Sequence, residues 1–98
     1  MASFNGGAGI QACALNAAAT VKASVIRATL ASNGYGVIVD SCGGTQVAVV
    51  SYSIASGNTI GFFNNPATGN NQFLSLGNND VHNNTGNTSG TISFVNFN

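Results

Sequence analysis

The chain has 98 residues, enough for one small core, and its zero formal net charge rests on only four charged side chains, Lys22, Arg27, Asp40 and Asp80. Two cations cannot line a phosphate-binding stripe, so nucleic acid is not an expected partner, and no run approaches the ~20 apolar residues that span a bilayer. A near-neutral surface leaves copies little mutual repulsion, which favours association.

Residues 1–12 carry Gly6, Gly7 and Gly9 with scattered apolar side chains at Phe4 and Ile10, and show no basic stretch followed by an apolar one. They read as a flexible arm, with residues 13–98 as the single domain. Phe4 and Ile10 are the anchors such an arm would bury on a neighbour.

Two cysteines, Cys13 and Cys42, enclose 28 residues. Buried thiols, an intrachain disulfide and an intersubunit crosslink are all open on sequence grounds. A closed loop of this size stabilises a small domain by about 3–4 kcal/mol in the chain-entropy model.

The stretch 14–32 is ambiguous, because its alanines favour helix while VKASVIRATL is rich in β-branched residues. A strand over 21–30 is expected, with a helix over 16–31 as the alternative. Beyond it, YGVIVD (35–40), TQVAVVSYSI (45–54), NTIGFF (58–63), QFLSL (72–76) and GTISFVNF (90–97) are short β-branched or aromatic runs bounded by Gly, Asn or Ser. Short strands joined by turn residues predict an all-β domain, a small antiparallel sandwich or jelly roll of about six to eight strands behind the flexible arm.

Asparagine pairs begin at 64, 70, 78 and 83, separated by 6, 8 and 5 residues. A solenoid stacks equivalent turns at a fixed period, so these pairs read as turn formers and no regular repeat is expected. Both faces of the runs at 45–54 and 90–97 carry apolar residues. Val47, Val49, Val95 and Phe97 are therefore candidates for an interface covered by another layer or subunit.

Chemistry-bearing residues are few: one histidine, two aspartates, two cysteines and no glutamate. A Cys42–His82 nucleophile pair lacks any surrounding signature, and Asp80-Val-His82 supplies two potential metal ligands where three or four are normal. No enzyme activity, cofactor or metal is expected. Two functional classes remain. The first is a structural subunit that self-assembles into an extracellular or surface fibre, appendage or coat, a homo-oligomer or polymer joined by strand addition of the arm and by apolar faces. The alternative is a carbohydrate-binding lectin or adhesin module, with Tyr35 or Tyr52 stacking on a sugar ring and Asn78 and Asn79 holding its hydroxyls.

Overall fold

The computed structural model describes residues 2–3, 7–16, 18–40, 42–65 and 70–95. The described residues form twelve strands: β1 (Ala2–Ser3), β2 (Ala8–Ala12), β3 (Thr20–Ile26), β4 (Thr29–Ala31), β5 (Tyr35–Val39), β6 (Thr45–Ser51), β7 (Ile54–Ser56), β8 (Ile60–Asn64), β9 (Asn70–Leu76), β10 (Asp80–His82), β11 (Gly86–Ser89) and β12 (Ser93–Val95). They alternate among three sheets, ordered β1-β4-β7-β10, β2-β5-β8-β11 and β3-β6-β9-β12. Every pairing is parallel. The chain thus winds as a β-solenoid, visiting each sheet once per turn.

This overturns the expected sandwich. An antiparallel pair closes through a short hairpin, whereas a parallel pair needs a crossover of a dozen or more residues. Here the crossover is the rest of the turn. Thr20 lies opposite Thr45 and Thr45 opposite Asn70, and the offset holds from Thr20–Thr45 through Ile26–Ser51. The turn residues read as hairpins are corners between sheets. The expected flexible arm is corrected as well: Ala8–Ala12 pairs with β5 and Ala2–Ser3 with β4, while Phe4 lies outside the described residues. The stretch 20–31 is two strands around a corner at Arg27, not a helix.

Inward side chains stack in columns because identical registers repeat. Ile10, Val37 and Phe62 form one column, Ala23, Ala48 and Phe73 a second, and Val25, Val50 and Ser75 a third. Phe62 and Phe73 face each other from different sheets with ring centroids 5.0 Å apart, both fully buried. Leu30, Val37, Val39, Ala48, Val50 and Ala55 close the core around them. The molecule measures 35 × 35 × 20 Å, and its short dimension accommodates four strand layers, whose three spacings of about 4.8 Å span about 14 Å.

Candidate interaction surfaces

The corner between the first and second sheets is built three times from the same parts. A residue at positive φ, Ser32 (60°), Gly57 (72°) or Asn83 (56°), turns the chain and is followed by Asn33, Asn58 or Asn84. The asparagines stack as a ladder. Asn33 N–H donates to Asn58 Oδ1 at 2.8 Å, and Asn58 N–H donates to Asn84 Oδ1 at 2.9 Å. The amide nitrogens reach back a turn, Asn58 Nδ2 to the Leu30 carbonyl and Asn84 Nδ2 to the Ala55 carbonyl, both at 3.0 Å. The Asn58 and Asn84 side chains therefore satisfy backbone groups that a sharp bend leaves out of the sheets.

Three residues after the first two ladder positions the backbones approach too closely for a side chain. A Cβ on Gly36 would lie 2.5 Å from the Gly61 carbonyl oxygen, and one on Gly61 would lie 2.7 Å from that of Asn87. In the last turn this position is Asn87. Its Oδ1 accepts from Asn84 N–H at 3.3 Å and from Asn84 Nδ2 at 3.1 Å, the role that a further ladder asparagine would otherwise fill. The ladder thus closes on itself at its C-terminal end. Asn33, Asn58 and Asn84 are not among the residues that the sequence singles out, because the irregularly spaced asparagine pairs, one of which contains Asn84, mask the offsets of 25 and 26 residues between these three. The signal was present as Asn-x-x-Gly at 33–36 and again at 58–61.

At the corner between the third and first sheets, Arg27 (φ 53°) and Tyr52 (φ 50°) occupy equivalent positions of consecutive turns. The Arg27 guanidinium carbon lies 5.5 Å from the centre of the Tyr52 ring, a cation–π stack at the surface. Asn78 Oδ1 accepts from Tyr52 N–H at 2.8 Å and Asn79 Oδ1 from Ser53 N–H at 2.9 Å, while Asn79 Nδ2 donates to the Val50 carbonyl at 2.7 Å. Tyr52, Asn78 and Asn79 are therefore brought together, but these amide contacts are directed at the corner's own backbone. Tyr35 lies on another sheet, its ring 5.3 Å from that of Phe63.

The third corner holds the covalent link. Cys13, just after β2, is bonded to Cys42, in the loop after β5, with Cα atoms 5.4 Å apart, which joins the first turn to the second. Nearby, fully buried Gln46 accepts from Ala14 N–H at 2.9 Å through Oε1. Asp40 accepts from Gln11 Nε2 at 3.1 Å and from Asn65 Nδ2 at 3.0 Å. With its sulfur in the disulfide, Cys42 has no thiol to pair with His82. His82 Nδ1 instead lies 2.7 Å from Asp80 Oδ1. No three His, Cys, Asp or Glu side chains converge among the described residues.

Two apolar surfaces remain. On the outer face of the third sheet, Val47, Val49, Leu74 and Leu76 are half-buried side by side, and Val95, opposite Leu76, extends the row with 41% exposure. Val47, Val49 and Val95 therefore share one face, while Phe97 lies outside the described residues. The second surface is the C-terminal end. Phe94 stands opposite Ser75, in a core column, yet is 69% exposed because no described layer covers it. Ile10 lies half-buried in the first turn, at the opposite end.

Comparison with known proteins finds no matching family model, no matching curated sequence and no matching solved structure.

Proposed function

We propose that the chain is a structural, self-assembling subunit of an extracellular or surface fibre, appendage or coat. The observation that carries this reading is the pair of three-stranded edges that the parallel winding presents, one at β1, β2 and β3 and one at β10, β11 and β12. Unpaired strand edges template pairing with another chain, and native proteins usually blunt them with charge, proline or a covering element. Among the described residues of the six edge strands the charged side chains are Lys22 on β3 and Asp80 on β10. The disulfide fits an oxidising location outside the cell.

Strand addition by the N-terminal segment keeps its place in this reading in a changed form. Ala8–Ala12 already pairs with β5 through one edge, so it is its other edge that is offered to a neighbour. Sedimentation velocity and negative-stain microscopy of the purified chain at neutral pH test the proposal. Concentration-dependent rods, sheets or filaments are expected. A monomer at every concentration up to the solubility limit contradicts it and directs attention to a glycan screen centred on the exposed Tyr52 ring.

A further inference from the structure

The contact between subunits follows from the way the two ends of the solenoid differ, and it rests on the self-assembly reading above. On the third sheet the core columns begin at the N-terminal end in Ala23 and Val25. At the C-terminal end of the same sheet stand Ile92, packed against the core, and exposed Phe94, whereas the columns of the other two sheets end in Val81 and Thr88. The bulk of the C-terminal end is thus concentrated on the third sheet.

The few charges are also sorted along the axis. Both cations of the chain, Lys22 on β3 and Arg27 at the corner that follows it, belong to the first turn. Asp80 lies on β10 in the last strand of its sheet, on the flank of the same corner, with its side chain 65% exposed. Asp40, the other anion, sits between them and is held by Gln11 and Asn65. A neutral molecule is therefore positive at its first turn and negative at its last.

We infer that the C-terminal turn of one copy (β10, β11, β12) seats on the N-terminal turn of a second copy (β1, β2, β3), head to tail, so that the three parallel sheets and the core columns continue through the contact. Head-to-tail seating brings Arg27 of one copy towards Asp80 of the next and lays Ile92 and Phe94 over Ala23 and Val25, the first residues of the third sheet's columns. Head-to-head seating opposes cations with cations, and tail-to-tail seating opposes Asp80 with Asp80 and one Phe94 with the other. The ladder corner needs nothing from a neighbour, since Asn87 already supplies the acceptor for Asn84. A roughly triangular end within the 35 × 35 Å section covers on the order of 600 Å² per partner, at the lower bound of stable interfaces before the edge hydrogen bonds are added. Because the two surfaces differ, the contact does not close on itself, and repetition gives a polar filament.

The test uses single charge reversals, Asp80→Arg and Arg27→Asp, their double variant, and Phe94→Glu, each checked for an unchanged far-ultraviolet circular dichroism spectrum. Asp80, Arg27 and Phe94 are exposed, and the contacts that the two reversals remove, to His82 and to the Tyr52 ring, lie at the surface. Each single reversal is expected to raise the concentration needed for assembly about five- to tenfold, the double variant to recover most of that loss, and Phe94→Glu to abolish assembly. Wild-type assembly with all three single variants unaffected overturns the end-on contact while leaving self-assembly standing. A double variant that fails to recover overturns the Arg27–Asp80 juxtaposition. A wild-type chain that never assembles removes both.

Discussion

Asn58 is the residue on which the solenoid's first corner turns. It is 2% exposed, its Oδ1 receives the Asn33 N–H and its Nδ2 caps the Leu30 carbonyl. Asn58→Ala leaves two buried backbone groups unpaired, and the expected loss is about 2–4 kcal/mol of stability by chemical denaturation. Asn87→Ala removes only the exposed terminal acceptor of the same ladder, so it should cost no more than about 1 kcal/mol. If the two variants were equally destabilised, the ladder would not be the structural element described. Gly61→Ala should also destabilise the fold, since the new Cβ would meet Asn84 Nδ2 and Val81 Cγ1, each at 2.8 Å, as well as the Asn87 backbone. Almost none of this was legible beforehand. Asparagine is enriched at turns for several local reasons, and only an offset of 25 to 26 residues distinguishes a stacked ladder from a series of separate turns.

At the scale of elements, the sequence located strands well and their partners badly. The runs at 35–40, 45–54, 58–63 and 72–76 all contain observed strands, because β-branched and aromatic side chains favour the extended backbone wherever its partner lies. Direction and pairing are non-local properties. A bend at positive φ and a hairpin turn use the same residues, so Ser32, Gly57 and Asn83 gave no local sign that the chain bends between sheets. Apolar residues on both faces of β6 were read as a covered outer layer, and Val47 and Val49 do share an outer face with Leu74 and Leu76. What covers that face is a separate question from what covers the ends. Packing predictions belong here as well. Phe73→Ala empties a site in the ring pair with Phe62, and a loss of about 3–5 kcal/mol is expected in thermal or denaturant unfolding. Reduction of Cys13–Cys42 releases the first turn from the second. The expected loss is about 3 kcal/mol, with faster hydrogen exchange in β2 and β3 before β8 and β9. Uniform exchange across all turns after reduction would contradict the stapling role.

For the whole molecule, the parallel winding fixes where the outermost strand edges lie. A sandwich of the same composition would offer its edges along the sides, whereas this solenoid offers them at its two ends, with its charge sorted between those ends. Stability in such a fold is close to a sum of turns and their interfaces, so in the proposed contact a copy seated on an end would add one more interface of the kind that already holds the chain together. Assembly and folding then draw on the same interactions. Association should therefore protect the terminal strands β10 and β11 from hydrogen exchange, with the central strands β5 and β6 changing least.

X-ray fibre diffraction from aligned filaments of the chain tests this account most directly. Strands lying across the filament axis and stacked end to end should give a meridional reflection at about 4.8 Å with an axial subunit repeat near 20 Å. A 4.8 Å reflection on the equator would mean that the subunits join side by side, and would contradict the end-on stack.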